Sequence, residues 1–172
     1  MSADLSGPFV LYSVEKLRQL GGRIEDCLGR LSEEQVWARG SENENAVGNL
    51  VLHLCGNLGQ WIGAGVAGRV DHRQRDAEFN AREGVTIAEL KQRLHAAVED
   101  ATKIIGGLSA EDLTRRLRVQ KYDVTVLEAV YHVTAHFSEH TGQILFATKL
   151  TTGQDLGYYR HLKTPVHAGK TP

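Results

Sequence analysis

Four separate segments of the chain repeat apolar side chains at helical spacing, and nothing alternates over strand lengths. The first, over 8–31, presents Val10, Val14, Leu17, Ile24, Cys27, Leu28 and Leu31, with Pro8 in the first turn where its missing N–H costs nothing. The second, over 46–66, presents Val47, Leu50, Val51, Leu54, Leu58, Trp61 and Ile62. The third starts at Thr86, with Glu89 completing a capping box. It presents Ile87, Leu90, Leu94, Val98, Ala101 and Ile105, and Gly106–Gly107 stops it. The fourth runs over 126–151, with Thr125 as its cap and Gly153 as its stop. Each helix carries one stripe that has to leave water, and burying the four stripes against one another is the simplest solution. The expected fold is therefore all-α: a single-domain four-helix bundle over residues 1–160, with a tail over 161–172.

The connections are less regular. Ser32 and Gln35 have capping-box spacing, which predicts a short helical turn over 32–37, and 38–45 reads as loop. Between the second and third helices, 67–85 reads as a long polar loop carrying Arg69, Arg73, Arg75, Arg82 and Phe79. A loop of that length in a compact domain is usually functional or mobile; the first reading here is a solvated connector, and the alternative is a lid over a site with its arginines toward an anionic substrate. In 109–124, Leu117, Val119 and Tyr122 fit an extended stretch. The second helix holds Gly48, Gly56, Gly59 and Gly63. Each costs up to about 1 kcal/mol against Ala in a helix interior, so they predict close approach by a neighbour.

Composition removes several functions. With 20 Lys+Arg against 21 Asp+Glu among 172 residues, the net charge is −1, which lacks the basic footprint of a nucleic-acid binder. No apolar run is long enough to span a membrane, and the first residues lack the charged start and cleavage site of a secretory signal. Cys27 and Cys55 lie inside helical patterns with no CxxC, as in a reduced cytoplasmic protein.

The strongest chemical signal is YHVTAHFSEHTGQI, which places His132, His136 and His140 at i, i+4 and i+8 on the fourth helix. Each step of four residues advances about 40° around the axis. His140 then points nearly with the core stripe, His136 borders it and His132 lies toward the flank. Two imidazoles at i and i+4 can reach one metal ion, and His136–His140 is the inward pair. The competing reading is a pair of satisfied histidines at the core edge. On the second helix His53 lies in a polar strip with Asn49, Asn57 and Gln60. A solvated helix face normally carries charge; this one carries only neutral hydrogen-bonding groups, which suits a semi-buried polar cavity.

Other motifs fall away. GAGVAG at 63–68 has the letters of a dinucleotide fingerprint but ends a helix instead of following a strand. The chain has no ExxH, HExxH, GxSxG or Walker sequence. His95 reads as surface, and His72, His161 and His167 as loop or tail.

Taken together, NLVLHLCGNLGQWI (49–62), HFSEHTGQI (136–144) and TKLTTGQDLGYY (148–159) resemble the DinB-like, or YfiT-like, superfamily, in particular a bacterial branch of unassigned activity. The resemblance implies a four-helix bundle, usually a homodimer, in which three histidines hold a divalent metal. By motif these are His53, His136 and His140, the same inward pair that the angles select. His132 is not part of that pattern. Relatives in the superfamily include bacillithiol- and mycothiol-dependent S-transferases.

Three neutral imidazoles leave an ion its full charge and an open position, which lowers the pKa of a bound water or thiol. The leading expectation is a metal-dependent transferase that activates a low-molecular-weight thiol toward a small-molecule electrophile. Zinc is the first choice of metal and nickel the next. Asn57, Gln143 and His132 are candidates to orient the ligands or touch substrate. The alternatives are a metal-dependent hydrolase, or a non-catalytic metal or small-molecule sensor or structural staple. A fourth protein ligand would favour the staple.

Overall fold

The protein's structure, a computed structural model, describes residues 4–163. Seven α-helices follow one another: α1 (Ser6–Leu28), α2 (Glu33–Trp37), α3 (Val47–Leu58), α4 (Arg75–Asn80), α5 (Ile87–Gly106), α6 (Ala110–Thr114) and α7 (Val126–Thr152). A π-helical stretch, Gly59–Val66, prolongs α3, and a hairpin of β1 (Arg116–Val119) and β2 (Tyr122–Thr125) precedes α7. The expected tail falls mostly on 164–172, outside the described residues; Arg160–Lys163 form a 3-10 turn.

Local chemistry starts and stops these helices where the sequence places the signals. The Ser32 hydroxyl accepts from the Gln35 N–H and the Gln35 side chain accepts from the Ser32 N–H, at 3.1 and 3.0 Å. The same reciprocal box opens α5 at Thr86/Glu89 and α7 at Thr125/Glu128. Gly153 ends α7 in the left-handed region (φ 67°), donating to the Lys149 carbonyl at 2.9 Å.

The four long helices bury the expected stripes. α1 and α3 each pack against both α5 and α7. Leu17, Ile24, Leu28, Leu54, Leu90, Leu94, Ile105 and Ile144 are fully buried. Each such side chain contributes about 1.5–3 kcal/mol relative to exposure. No helix of the described residues is long and apolar enough to cross a membrane.

Four expectations need correction. The fold is helical but not purely so. β1 and β2 pair antiparallel, Leu117 opposite Val124 and Val119 opposite Tyr122, and the extended reading of Leu117 and Val119 is right. Leu117 and Val119 are buried, β1 lies against the π-helical stretch, and these contacts favour the strand. Second, 67–85 is not all loop, because it contains α4. Third, the second helix is not uniform: its hydrogen bonds shift to π spacing, as from the Ala67 N–H to the Ile62 carbonyl at 3.0 Å. Fourth, only two of the four glycines meet a neighbour. A Cβ at Gly48 would strike the Trp37 indole, and one at Gly56 would overlap the Glu78 carboxylate; Gly59 and Gly63 face open space.

Candidate metal centre

The polar strip of α3 is buried, as its lack of charge predicts. His53 and Asn57 are each 5% exposed and Asn49 is fully buried. Asn49 turns away from the histidines. Its Oδ1 accepts from the Ala46 N–H at 3.1 Å and from Arg39 Nη2 at 2.5 Å, while its Nδ2 donates to the Glu78 and Ala81 carbonyls at 2.8 and 2.9 Å. It thereby ties the α4 segment to the start of α3.

That tether delivers Glu78, a residue that no motif singles out. Glu78 reaches over Gly56 and its Oε2 lies 3.0 Å from His53 Nδ1. Arg73 donates to both carboxylate oxygens, Nε to Oε1 at 2.8 Å and Nη2 to Oε2 at 2.9 Å. The Arg73 and Glu78 side chains are 5% and 9% exposed, so the pair is buried. Burial by itself raises the Glu78 carboxyl, but hydrogen bonds from Arg73 and His53 outweigh it and hold the group below the usual carboxylate range. Arg73 continues through Nη1 to Gln60 Oε1 at 2.9 Å, and Gln60 is also bonded by Gln120 Nε2 at 2.7 Å. The arginine expected to meet substrate is instead held against a carboxylate. The one hint in the sequence is Gly56, whose missing side chain makes room for Glu78.

With a carboxylate at Nδ1, the His53 proton belongs on that nitrogen and Nε2 is left to face the site. Arg73 Nη2 also lies 3.0 Å from His53 Nδ1. Two donors cannot bond to each other, and the Nη2 group already serves Glu78, so the carboxylate contact decides the tautomer. His53 Nε2 lies 2.8 Å from His136 Nε2. At that distance a neutral hydrogen bond suffices, His136 Nε2–H donating to His53 Nε2, and a metal ion bound there would replace that hydrogen. His140 is oriented in the same manner as His53: its Nδ1 lies 2.7 Å from Gln143 Oε1, which leaves its Nε2 free.

The ligand atoms of His53, His136 and His140 all lie within 4.8 Å of one another. Ring centroids are 5.0 Å apart for His53–His136, 5.1 Å for His53–His140 and 4.4 Å for His136–His140. Burial holds the His136 imidazole down at about 4, with the neighbouring His140, His53, His132 and Arg73 adding to the effect. Burial is also the main reason that His140 and His132 are lowered. His136 and His140 thus stay neutral near pH 7, the form in which imidazole binds metal.

His132 stands outside the group of three. Its ring packs on Trp61, tilted by 37° with centroids 4.1 Å apart, and lies nearly parallel to His136, 5.6 Å away. Asn57 lines the cavity in front of His53 and His136. Glu139 is largely exposed, 3.9 Å from His136 Nδ1, too far for a hydrogen bond. His95 is an exposed residue, as read from the sequence.

Two cavities open onto the cluster. One, of about 380 Å³, is walled by Trp61, Tyr122, Val124, Gln120 and His132. The other, of about 500 Å³, is walled by Asn45, Phe79, Asn80 and His140. His53, His136 and Arg75 border both.

A family model described as "Protein of unknown function (DUF1572)" matches residues 4–165. No curated protein matches the chain. Among solved structures, a conserved protein from Enterococcus faecalis superposes with a TM-score of 0.72 at 16% identity, over 84% of this chain and 97% of that one. A DinB-like protein, YjoA, from Bacillus subtilis superposes with a TM-score of 0.65 at 16% identity, over 86% of this chain and 97% of that one. At such identity the likeness speaks for the fold: the chain has a DinB-like helical fold.

Proposed function

The chain belongs to the DUF1572 family, and we propose that it is a metal-dependent enzyme whose ion is held by His53, His136 and His140. One observation carries the proposal: imidazoles from two separate helices bring their ring nitrogens to a common point, two of them with the outer nitrogen engaged by a side-chain oxygen. The donor set fits a divalent ion of the zinc or nickel type, with zinc preferred. Among the described residues the cluster comprises three histidines, which suits an open coordination position better than a closed structural site.

The preferred activity is transfer of a low-molecular-weight thiol to an electrophile, in the manner of the bacillithiol and mycothiol S-transferases of the wider superfamily. An ion in this setting lowers the pKa of a bound thiol and so supplies thiolate near neutral pH. The chain's own residues do the rest. Glu78 and Gln143 keep Nε2 of His53 and His140 directed at the ion. The Arg73–Glu78 pair cancels its own charge, so the cluster region stays net positive once metal is bound. Asn57, beside His53, supplies a hydrogen-bonding group to whatever enters. The two cavities leave separate approaches for thiol and electrophile. We read the four long helices as one bundle that works in the cytoplasm as a homodimer. Phe146 and Leu150, one turn apart on α7, are exposed and supply an apolar surface for a second copy.

Elemental analysis of protein purified without a histidine tag or chelator tests the reading. It is expected to give about one divalent ion per chain, retained in His132→Ala. Less than about a tenth of that would remove the proposal. A panel of low-molecular-weight thiols with a fluorogenic electrophile then tests the transfer itself.

A further inference from the structure

Arg75 is the arginine of this region that, among the described residues, has neither a carboxylate partner nor a hydrogen bond to the backbone. Arg73 is locked to Glu78, Arg69 pairs with Asp100 at 2.6 Å, and Arg82 Nη1 donates to the Phe79 and Ala81 carbonyls at 2.9 and 3.2 Å. Arg75 has no carboxylate partner among the described residues; its guanidinium lies over the Phe79 ring, 4.8 Å from the centroid. Phe79 in turn rests on His53, with centroids 4.7 Å apart. A stacked guanidinium keeps its N–H edge available for an anion. The carboxylates near the 380 Å³ cavity are already committed. Glu78 is neutralised by Arg73, and Glu128, which lines this cavity and keeps its charge, has Oε2 turned to the Thr125 N–H and hydroxyl at 2.7 and 2.8 Å. The 500 Å³ cavity has Asp76 at its edge, which opposes an anion there. The smaller cavity also has a flat apolar wall, with the Trp61 and Tyr122 rings tilted by 34° and their centroids 6.1 Å apart.

We infer that the 380 Å³ cavity takes a small organic anion with a flat unsaturated or aromatic body. Its acid group pairs with Arg75 and its body lies along Trp61 and Tyr122, in a cavity that His53 and His136 also line. The inference rests on the proposed metal site for its catalytic meaning, but the anion site stands on Arg75 and the aromatic wall. Arg75 is then the residue that selects substrate by charge.

Benzoate is a suitable probe, with benzamide as its neutral counterpart and acetate as the acid without the ring. Calorimetric titration of the zinc-loaded protein is expected to give benzoate binding tighter than either. Arg75→Gln should weaken benzoate by about tenfold or more, the loss expected for one charge-assisted contact, with benzamide and zinc content unchanged. Equal benzoate affinity in wild type and Arg75→Gln, or no benzoate binding to protein that holds its zinc, overturns the inference. Protein that takes up no zinc overturns the metal proposal instead. The same titration on metal-free protein then decides the anion site, because dependence on Arg75 upholds it and independence removes it.

Discussion

The two helices that supply the histidines hold them in different ways. On α3, His53 is 5% exposed and clamped from behind by Glu78, itself clamped by Arg73, which Gln60 holds, and by the Asn49 tether. On α7, His136 has 21% of its side chain exposed and, among the described residues, no hydrogen-bond partner at Nδ1, while His140 depends on one glutamine a turn away. A site built this way has a fixed half and an adjustable half. The buried half costs more to assemble, because it places an ion pair out of water, and it repays that cost by fixing one nitrogen in space. The half on α7 can shift by small side-chain rotations as coordination changes.

This asymmetry can be broken in steps. The largest effect is expected from His53→Ala or His140→Ala. Each should empty the metal site while leaving the helical circular dichroism intact; metal retained in either variant means that the ligand set is wrong. Glu78→Gln should come next. It removes the negative charge behind His53 Nδ1, leaving only an amide to accept there, and leaves Arg73 buried without its counter-charge. Metal affinity is expected to fall about 10–100-fold and stability by about 3 kcal/mol. Gln143→Ala, on the α7 side, should cost less on both counts. Competition with a chromophoric chelator and urea unfolding measure the two effects, and equal losses in the two variants would erase the difference between the halves.

Gly56→Ala sharpens the comparison further. In an exposed helix the change would stabilise by up to about 1 kcal/mol. Here the new methyl collides with the Glu78 carboxylate, so metal affinity should fall although neither ligand nor clamp has been altered. Unchanged affinity would show that Glu78 does not orient His53. The smallest effect concerns acid. His136 is held at about 4 in the folded protein against an ordinary value near 6.5. Between these values the unfolded chain binds the proton and the folded chain does not. Stability of the metal-free protein is therefore complete above pH 6.5 and declines as pH falls toward 4. His136→Gln should flatten that part of the pH profile of unfolding; an identical slope in the variant would show that His136 is not its source.

Much of this arrangement was legible before any coordinates, for a physical reason. Signals that act within one turn of helix survive in sequence: the Ser32/Gln35, Thr86/Glu89 and Thr125/Glu128 boxes, the apolar stripes, and the inward direction of His136 and His140. The uncharged strip around His53 reported burial because a helix face without charge has little reason to meet water. Glu78 and Arg73 were not legible. They lie in a polar stretch with no periodicity, and their roles arise from contacts with α3 about 20 residues back in the chain. The arginine-rich connection suggested ligand binding, but Arg73 meets an internal carboxylate, a distinction that residue type alone does not make. The π-helical stretch escaped as well, since its apolar residues also fit an α-helical count.

That wider coil has an effect on the wall of the cavity. Gln60 and Trp61 are adjacent in sequence, where ordinary helical winding would send them about 100° apart. With more residues per turn the angle between them narrows: Gln60 props Arg73 while Trp61 lines the chamber and offers its ring to His132 and Tyr122. Such coils are less stable than regular helix and tend to persist where they serve a purpose. Shortening 59–66 by one residue would tighten the backbone, yet swing the indole away from the aromatic wall and leave the chamber without its floor.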